Sequence, residues 1–161
     1  MPENITEDFN IVASTITFTE DYDEPNGAHL LAYWRELKGD RDRPLWSQFD
    51  FLDVMYIAPL LIIKDVIDGG VEFRNRYWGT EHVEMDHFDG TGKVFADFYK
   101  PEDVPDILKL YRQPLTTTVP MVMRGTLHYQ EASSWREYSS LCVGFTDENG
   151  TVDKLVTAYD L

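Results

Sequence analysis

Hydrophobic positions along this chain follow two periods, and the changes between them mark out its elements. Residues 1–24 are acidic and irregular, although Ile16 and Phe18 alternate with Thr15 and Thr17 as a short strand would. This stretch reads as an acidic N-terminal arm, with a single domain over 25–161. From Pro25 onward Leu30, Leu31, Trp34 and Leu37 recur at helical spacing. Pro25 suits a first helical turn, where its missing amide would be unpaired anyway, and Gly39 is a natural stop. Asp50 is positioned to cap a second short helix over Phe51–Ala58, which Pro59 ends. Residues 25–58 therefore form an N-terminal helical segment, and 59–161 hold a sheet with its core helices.

The period then shortens to two. Leu60–Val66 opens with four apolar residues, which predicts a strand covered on both faces. Asp68-Gly69-Gly70 predicts a hairpin into Val71–Trp78. Strict alternation there assigns Val71, Phe73, Asn75 and Tyr77 to one face, and Glu72, Arg74, Arg76 and Trp78 to the other. Turn formers crowd residues 80–98, so small helices are expected. Pro101 opens a helix with the stripe Val104, Ile107, Leu108, Tyr111 and Leu115. Three strands follow: Val119–Gln130, with Val119, Met121, Met123, Leu127 and Tyr129 on one face; Trp135–Thr146, with Leu141, Val143 and Phe145 together; and Thr151–Leu161 after an Asn149-Gly150 turn. The fold class is α+β: a five-stranded antiparallel sheet with helices packed on one face and an added N-terminal helix.

Composition narrows the function. Lys and Arg number 14 against 29 Asp and Glu, a formal net charge of −15 that repels phosphate backbones and anionic lipid heads. Neither nucleic acid nor a membrane is an expected partner. The longest apolar run, Val54–Ile63, is broken by Pro59 and too short to span a bilayer. No signal-peptide pattern is read at the N-terminus, so the sequons at Asn4 and Asn149 carry no weight and a cytoplasmic location is expected. Cys142 is the one cysteine and has no disulfide partner within the chain.

Several short motifs recur in one order: Tyr33-Trp34-Arg35-Glu36-Leu37-Lys38-Gly39, Pro44, the apolar strand near Leu60, Arg74-Asn75-Arg76-Tyr77-Trp78-Gly79-Thr80 and Asp89-Gly90-Thr91-Gly92-Lys93. In these, over about Trp34 to Phe98, the chain resembles the PAS superfamily, and within it a group of short stand-alone bacterial PAS-like proteins of uncharacterised role. Beyond that span the similarity is one of element order. The chain departs from the group at Asp50-Phe51, where an acidic-proline pair is usual, and at Asn75, where an apolar or tyrosine residue is usual. The resemblance implies a curved sheet around a small cavity, used for sensing or for protein contact. It brings over no catalytic residues and no cofactor.

Three groups are candidates for chemistry. Phe73, Asn75, Tyr77, Met121, Met123 and Leu141 would line an apolar pocket with few polar anchors; an ordinary packed core is the plainer reading. Arg74, Arg76 and Trp78 could hold an anion, or Arg76 could pair with a carboxylate of the N-terminal segment. His82, Glu84, Asp86, His87 and Asp89 have metal-ligand chemistry, but His82 and His87 are five apart, off the four-residue spacing of one helical face. No metal is expected there, and no cofactor can be assigned. Cys142 lacks a basic neighbour that would activate it, Ser139 and Ser140 lack a nucleophile elbow, and Asp89–Lys93 lacks the full glycine spacing of a phosphate loop.

The expectation is a sensory or interaction domain that binds a small ligand and signals to a protein effector by contact. Trp34 and Leu37 are the expected seeds of a homodimer, because no effector segment follows the sheet. The alternatives are a small-pocket isomerase or dehydratase, with Asp86 or His87 as base beside Tyr77, and a ligand-free scaffold.

Overall fold

The computed structural model describes residues 10–128 and 135–161. The first nine residues of the expected arm, the Asn4 sequon, and Tyr129 and Gln130 of an expected strand lie outside the described residues. The elements run β1 (Asn10–Phe18), α1 (Pro25–Lys38), β2 (Leu61–Ile67), β3 (Glu72–Trp78), α2 (Thr80–Asp86), α3 (Val104–Thr116), β4 (Met121–His128), β5 (Trp135–Thr146) and β6 (Val152–Asp160). All six strands pair antiparallel in one sheet, in the order β1-β4-β5-β6-β2-β3.

The sheet has six strands where the hydrophobic pattern predicts five. The extra one is β1, whose register runs from Asn10 opposite His128 to Phe18 opposite Met121. The physical reason is the outer edge of β4, whose backbone groups β1 pairs; a bare edge there would invite association with other chains. The expected helix over Phe51–Ala58 is instead two 3-10 turns, Phe51–Val54 and Ala58–Leu60. Pro59 denies the segment an amide and restricts Ala58, leaving too little chain for a regular helix. Asp50 still caps the first turn, its Oδ1 accepting from the Leu52 amide at 3.0 Å.

The hairpin between β2 and β3 turns through three residues of positive φ, Asp68, Gly69 and Gly70, as the glycine pair predicts. α3 begins at Val104 rather than Pro101, and its predicted stripe meets the sheet through buried Tyr111 and half-buried Val104, Ile107, Leu108 and Leu115. Arg43 reaches over from the loop after α1 to the C-terminal end of α3, donating to the carbonyls of Pro114, Leu115 and Thr117. A cation is favourable at that end of a helix.

Both faces of the sheet are covered. α2, α3 and the turns between them lie on one face, called here the inner face, over Ile62, Phe73, Met121, Met123, Cys142 and Leu155. α1 lies on the other, over Leu61, Ile63, Val122, Leu141, Val143 and Val156. This placement corrects the expectation for Trp34 and Leu37. Trp34 is 2% exposed, and its indole Nε1 donates to the Gly144 carbonyl at 2.9 Å. Leu37 is half-buried against the same cluster. The apolar stripe of α1 packs on the chain's own sheet and is not exposed as expected.

The N-terminus of α1 is held by a residue more than a hundred positions away. Asp160 accepts from the amides of Asn26 and Gly27 at 2.7 and 2.9 Å, and from the Tyr22 hydroxyl at 2.7 Å. A carboxylate there satisfies amides that have no partner within the helix and complements the helix dipole. Asp160→Ala is expected to lower unfolding free energy by about 1–2 kcal/mol in urea denaturation, with Asp160→Asn losing less. An Ala variant as stable as the parent would show that solvent serves those amides equally well.

Candidate functional site

The inner face gathers most of the chain's buried polar chemistry. Its centre is Lys64, which the sequence places two residues after Ile62 on a strand facing the core. Lys64 is 4% exposed, and its Nζ donates to Asn75 Oδ1 at 2.5 Å. Three rings enclose the amine, with centroids at 4.8 Å for Phe95, 5.3 Å for Tyr111 and 5.8 Å for Trp78. No carboxylate among the described residues lies within ion-pairing distance of Nζ. Burial therefore dominates and lowers the amine from 10.5 to about 7.

Asn75, 2% exposed, ties this amine to the turn that covers the edge of β3. Its Nδ2 donates to the Gly90 carbonyl at 3.0 Å, while its backbone bonds Lys93 and Gly92 at 2.9 and 2.7 Å. Gly90 is required here, because a Cβ would stand 2.6 Å from the Trp78 ring. Asp89-Gly90-Thr91-Gly92-Lys93 is thus a docking turn, with Asp89 accepting from the Thr91 amide at 2.9 Å.

Beside the lysine lies a second group centred on Tyr159. His82 of α2 is 3% exposed, its ring 4.6 Å edge-on to Tyr159 and 5.9 Å from Trp78. The ring's Nε2 is buried, with no partner among the described residues. Burial, with the nearby Lys64 charge adding to it, lowers the imidazole to about 4. Tyr138 packs tilted against Tyr159 at 5.6 Å, and Ser140 pairs with Tyr159 across the two strands. The Tyr138 hydroxyl and the Ser140 Oγ are also buried without a partner among the described residues. Burial raises every phenol in the group, those of Tyr111, Tyr138 and Tyr159. The Cys142 thiol is likewise raised by burial, to about 11, which keeps it protonated and unreactive.

The expected pocket residues divide between the faces. Phe73, Asn75, Met121 and Met123 are buried on the inner face, as expected. Leu141 and Tyr77 belong to the α1 side, where Tyr77 donates to the Ala58 carbonyl at 2.8 Å. Leu141 stands opposite Val122, so Cys142, not Leu141, faces inward beside Met121. For Tyr77 the cause is a bulge: Ile63 pairs with Tyr77 and Lys64 with Asn75, so Arg76 is passed over in the register. One extra residue reverses which face every later side chain meets. Trp78 accordingly turns inward with Phe73, away from Arg74 and Arg76, so the expected anion-binding trio is not assembled. Arg74 and Arg76 are exposed, and Arg76 pairs with Asp65 of the neighbouring strand at 2.8 Å, not with the N-terminal segment.

The acidic and imidazole groups of residues 82–89 are dispersed as well. His82 is buried, whereas Glu84, His87 and Asp89 are exposed. Among the described residues, no three His, Cys, Asp or Glu side chains could share a metal ion. His87 also stands apart from Tyr77, which lies across the sheet. Among the described residues no helix is long and apolar enough to cross a membrane. Compared with known proteins, the chain matches no family model and no curated protein.

Lys64, His82, Tyr138, Ser140 and Tyr159 are the inner-face residues that motif reading passed over or weighed for another role. Lys64 did leave a signal: a lone cation at an interior position of an otherwise apolar strand.

Proposed function

We propose that this chain is a PAS-like sensory and interaction domain that holds a small polar ligand on its inner face and signals by protein contact. Two features of the fold support the reading. A strand pair precedes the covering helices and a three-strand meander follows them, and the last strand pairs with the first of the pair. This is the arrangement the resemblance implies, with β1 added at one edge.

The observation that carries the ligand half is the set of buried polar atoms around Tyr159. His82 Nε2, Tyr138 Oη and Ser140 Oγ are all shut off from solvent without a partner among the described residues. Buried groups of this kind are ordinarily satisfied, and leaving one unpaired costs about 1–3 kcal/mol. A small polar molecule hydrogen-bonding His82, Tyr138 or Ser140 would relieve part of that cost. Lys64 would add positive potential, which favours a ligand with partial or full negative charge.

Native mass spectrometry of the purified protein tests this reading. The expected result is an adduct of a few hundred daltons or less that is released on denaturation and is lost in His82→Phe and Ser140→Ala. A native mass equal to that of the bare chain, with ordered water alone filling the three positions, would leave a scaffold without a ligand.

A further inference from the structure

One corner of the molecule presents large apolar side chains to solvent on an ordered backbone. Tyr56 is 92% exposed, Leu52 72%, Met55 56% and Phe51 37%. Between them Val54 and Ile57 are buried and anchor the segment to the core beneath α1. The backbone is held in several ways: Asp50 caps the turn, and its amide donates to the Tyr33 hydroxyl at 2.8 Å. Phe51 meets Tyr77 edge-on at 5.0 Å, and Phe49 stacks on Trp46 at 4.5 Å. The exposed side chains therefore project from a segment whose ordering cost is already met by folding. Large apolar side chains exposed together on one short segment mark a contact site, and methionine is common where the contact must adapt to its partner.

We infer that this corner docks a basic amphipathic helix of another protein. The inference rests on the interaction half of the reading above and is independent of the ligand half. Charge selects the occupant. Asp50 and Asp53 are exposed within the segment, and Arg76, next to Tyr77 on β3, is already paired with Asp65. A second copy of this chain would bring the same carboxylates and a further formal charge of −15. An anionic bilayer is repelled for the same reason. A helix with leucine-type residues on one face and lysine or arginine flanking them meets both the apolar centre and the acidic rim.

The test is a titration of isotope-labelled protein with a synthetic Leu/Lys amphipathic helix, followed by amide chemical shifts. A Leu/Glu helix and a sequence-scrambled Leu/Lys peptide serve as controls. Shifts confined to residues 49–56 and to Tyr77 are expected, with neither control binding. The triple variant L52S/M55S/Y56S should weaken binding by about tenfold or more while melting at the parent temperature, since these side chains face water. Shifts scattered over the acidic surface and unchanged by the triple variant would reduce the contact to general charge attraction and overturn the inference. A dimer in sedimentation that the triple variant dissolves would overturn it too, by naming a second copy as occupant. Docking that survives His82→Phe while no adduct is retained would sink the ligand reading and leave this one standing.

Discussion

Lys64→Met is expected to raise stability at pH 7 by about 2 kcal/mol and to remove most of its rise between pH 7 and 9. In the folded protein Lys64 titrates near 7, and in the unfolded chain near 10.5, because burial without a carboxylate partner disfavours the ammonium. Between those values the unfolded chain holds more protons than the folded one, so unfolding free energy increases with pH. For the parent this rise amounts to about 2 kcal/mol from pH 7 to 9. Above that range Cys142 and the buried tyrosines act in the opposite direction, since their folded values are raised and the unfolded chain loses their protons first. His82 contributes separately: lowered to about 4 from 6.5, it costs stability as pH falls through that window. Methionine keeps the volume and removes the charge, at the cost of the Asn75 Oδ1 contact, about 1–2 kcal/mol. Urea denaturation of both proteins at pH 5, 7, 8 and 9 measures the difference. A variant less stable than the parent, with the parent's slope preserved, would mean that Lys64 stays charged and paired in the folded state.

That experiment also bears on the ligand. A bound carboxylate near Nζ would raise the amine's titration, flatten the parent's slope and make the methionine variant bind less. Lys64 would thus link the stability of the inner face to any ligand bound there.

Such a role for Lys64 is not visible in motifs, and the reason is instructive. Periodicity along β2 and α3 is dictated by burial, so the stripe from Val104 to Leu115 and the two-sided apolar run from Leu61 to Ile63 could be read from side chains alone. In β3 the same reasoning holds up to Asn75 and then fails, because the bulge at Arg76 is a property of pairing with β2 and leaves no mark in composition. Its consequence is large: Tyr77 and Trp78 exchange faces, and the trio of Arg74, Arg76 and Trp78 dissolves. β1 was visible only as the alternation of Ile16 and Phe18, since what stabilises it is the edge of β4, distant in sequence. The inner-face cluster escaped for a related reason. His82 was weighed against its neighbours in sequence, whereas its actual neighbours, Trp78 and Tyr159, come from a strand edge and from the last strand.

Trp34→Ala is expected to cost about 3–5 kcal/mol, the largest single loss among the substitutions considered. The indole is the largest fully buried side chain among the described residues, enclosed between α1 and the sheet with Leu30, Val143 and Phe145. Truncation empties that volume and leaves the Gly144 carbonyl, which accepts from Nε1 at 2.9 Å, without its donor. Gly144 lies on β5 beside the contacts of Arg43, so the loss should spread to the end of α3 that Arg43 holds. Trp34→Phe should recover part of the stability, restoring packing but not the hydrogen bond. Urea denaturation reads the energies, and sedimentation separates this account from the dimer expected of an exposed Trp34. If α1 is an integral layer, the variant loses stability with no change in mass. An Ala variant that keeps its stability but changes from dimer to monomer would mean that α1 packs on a second molecule instead of on its own sheet.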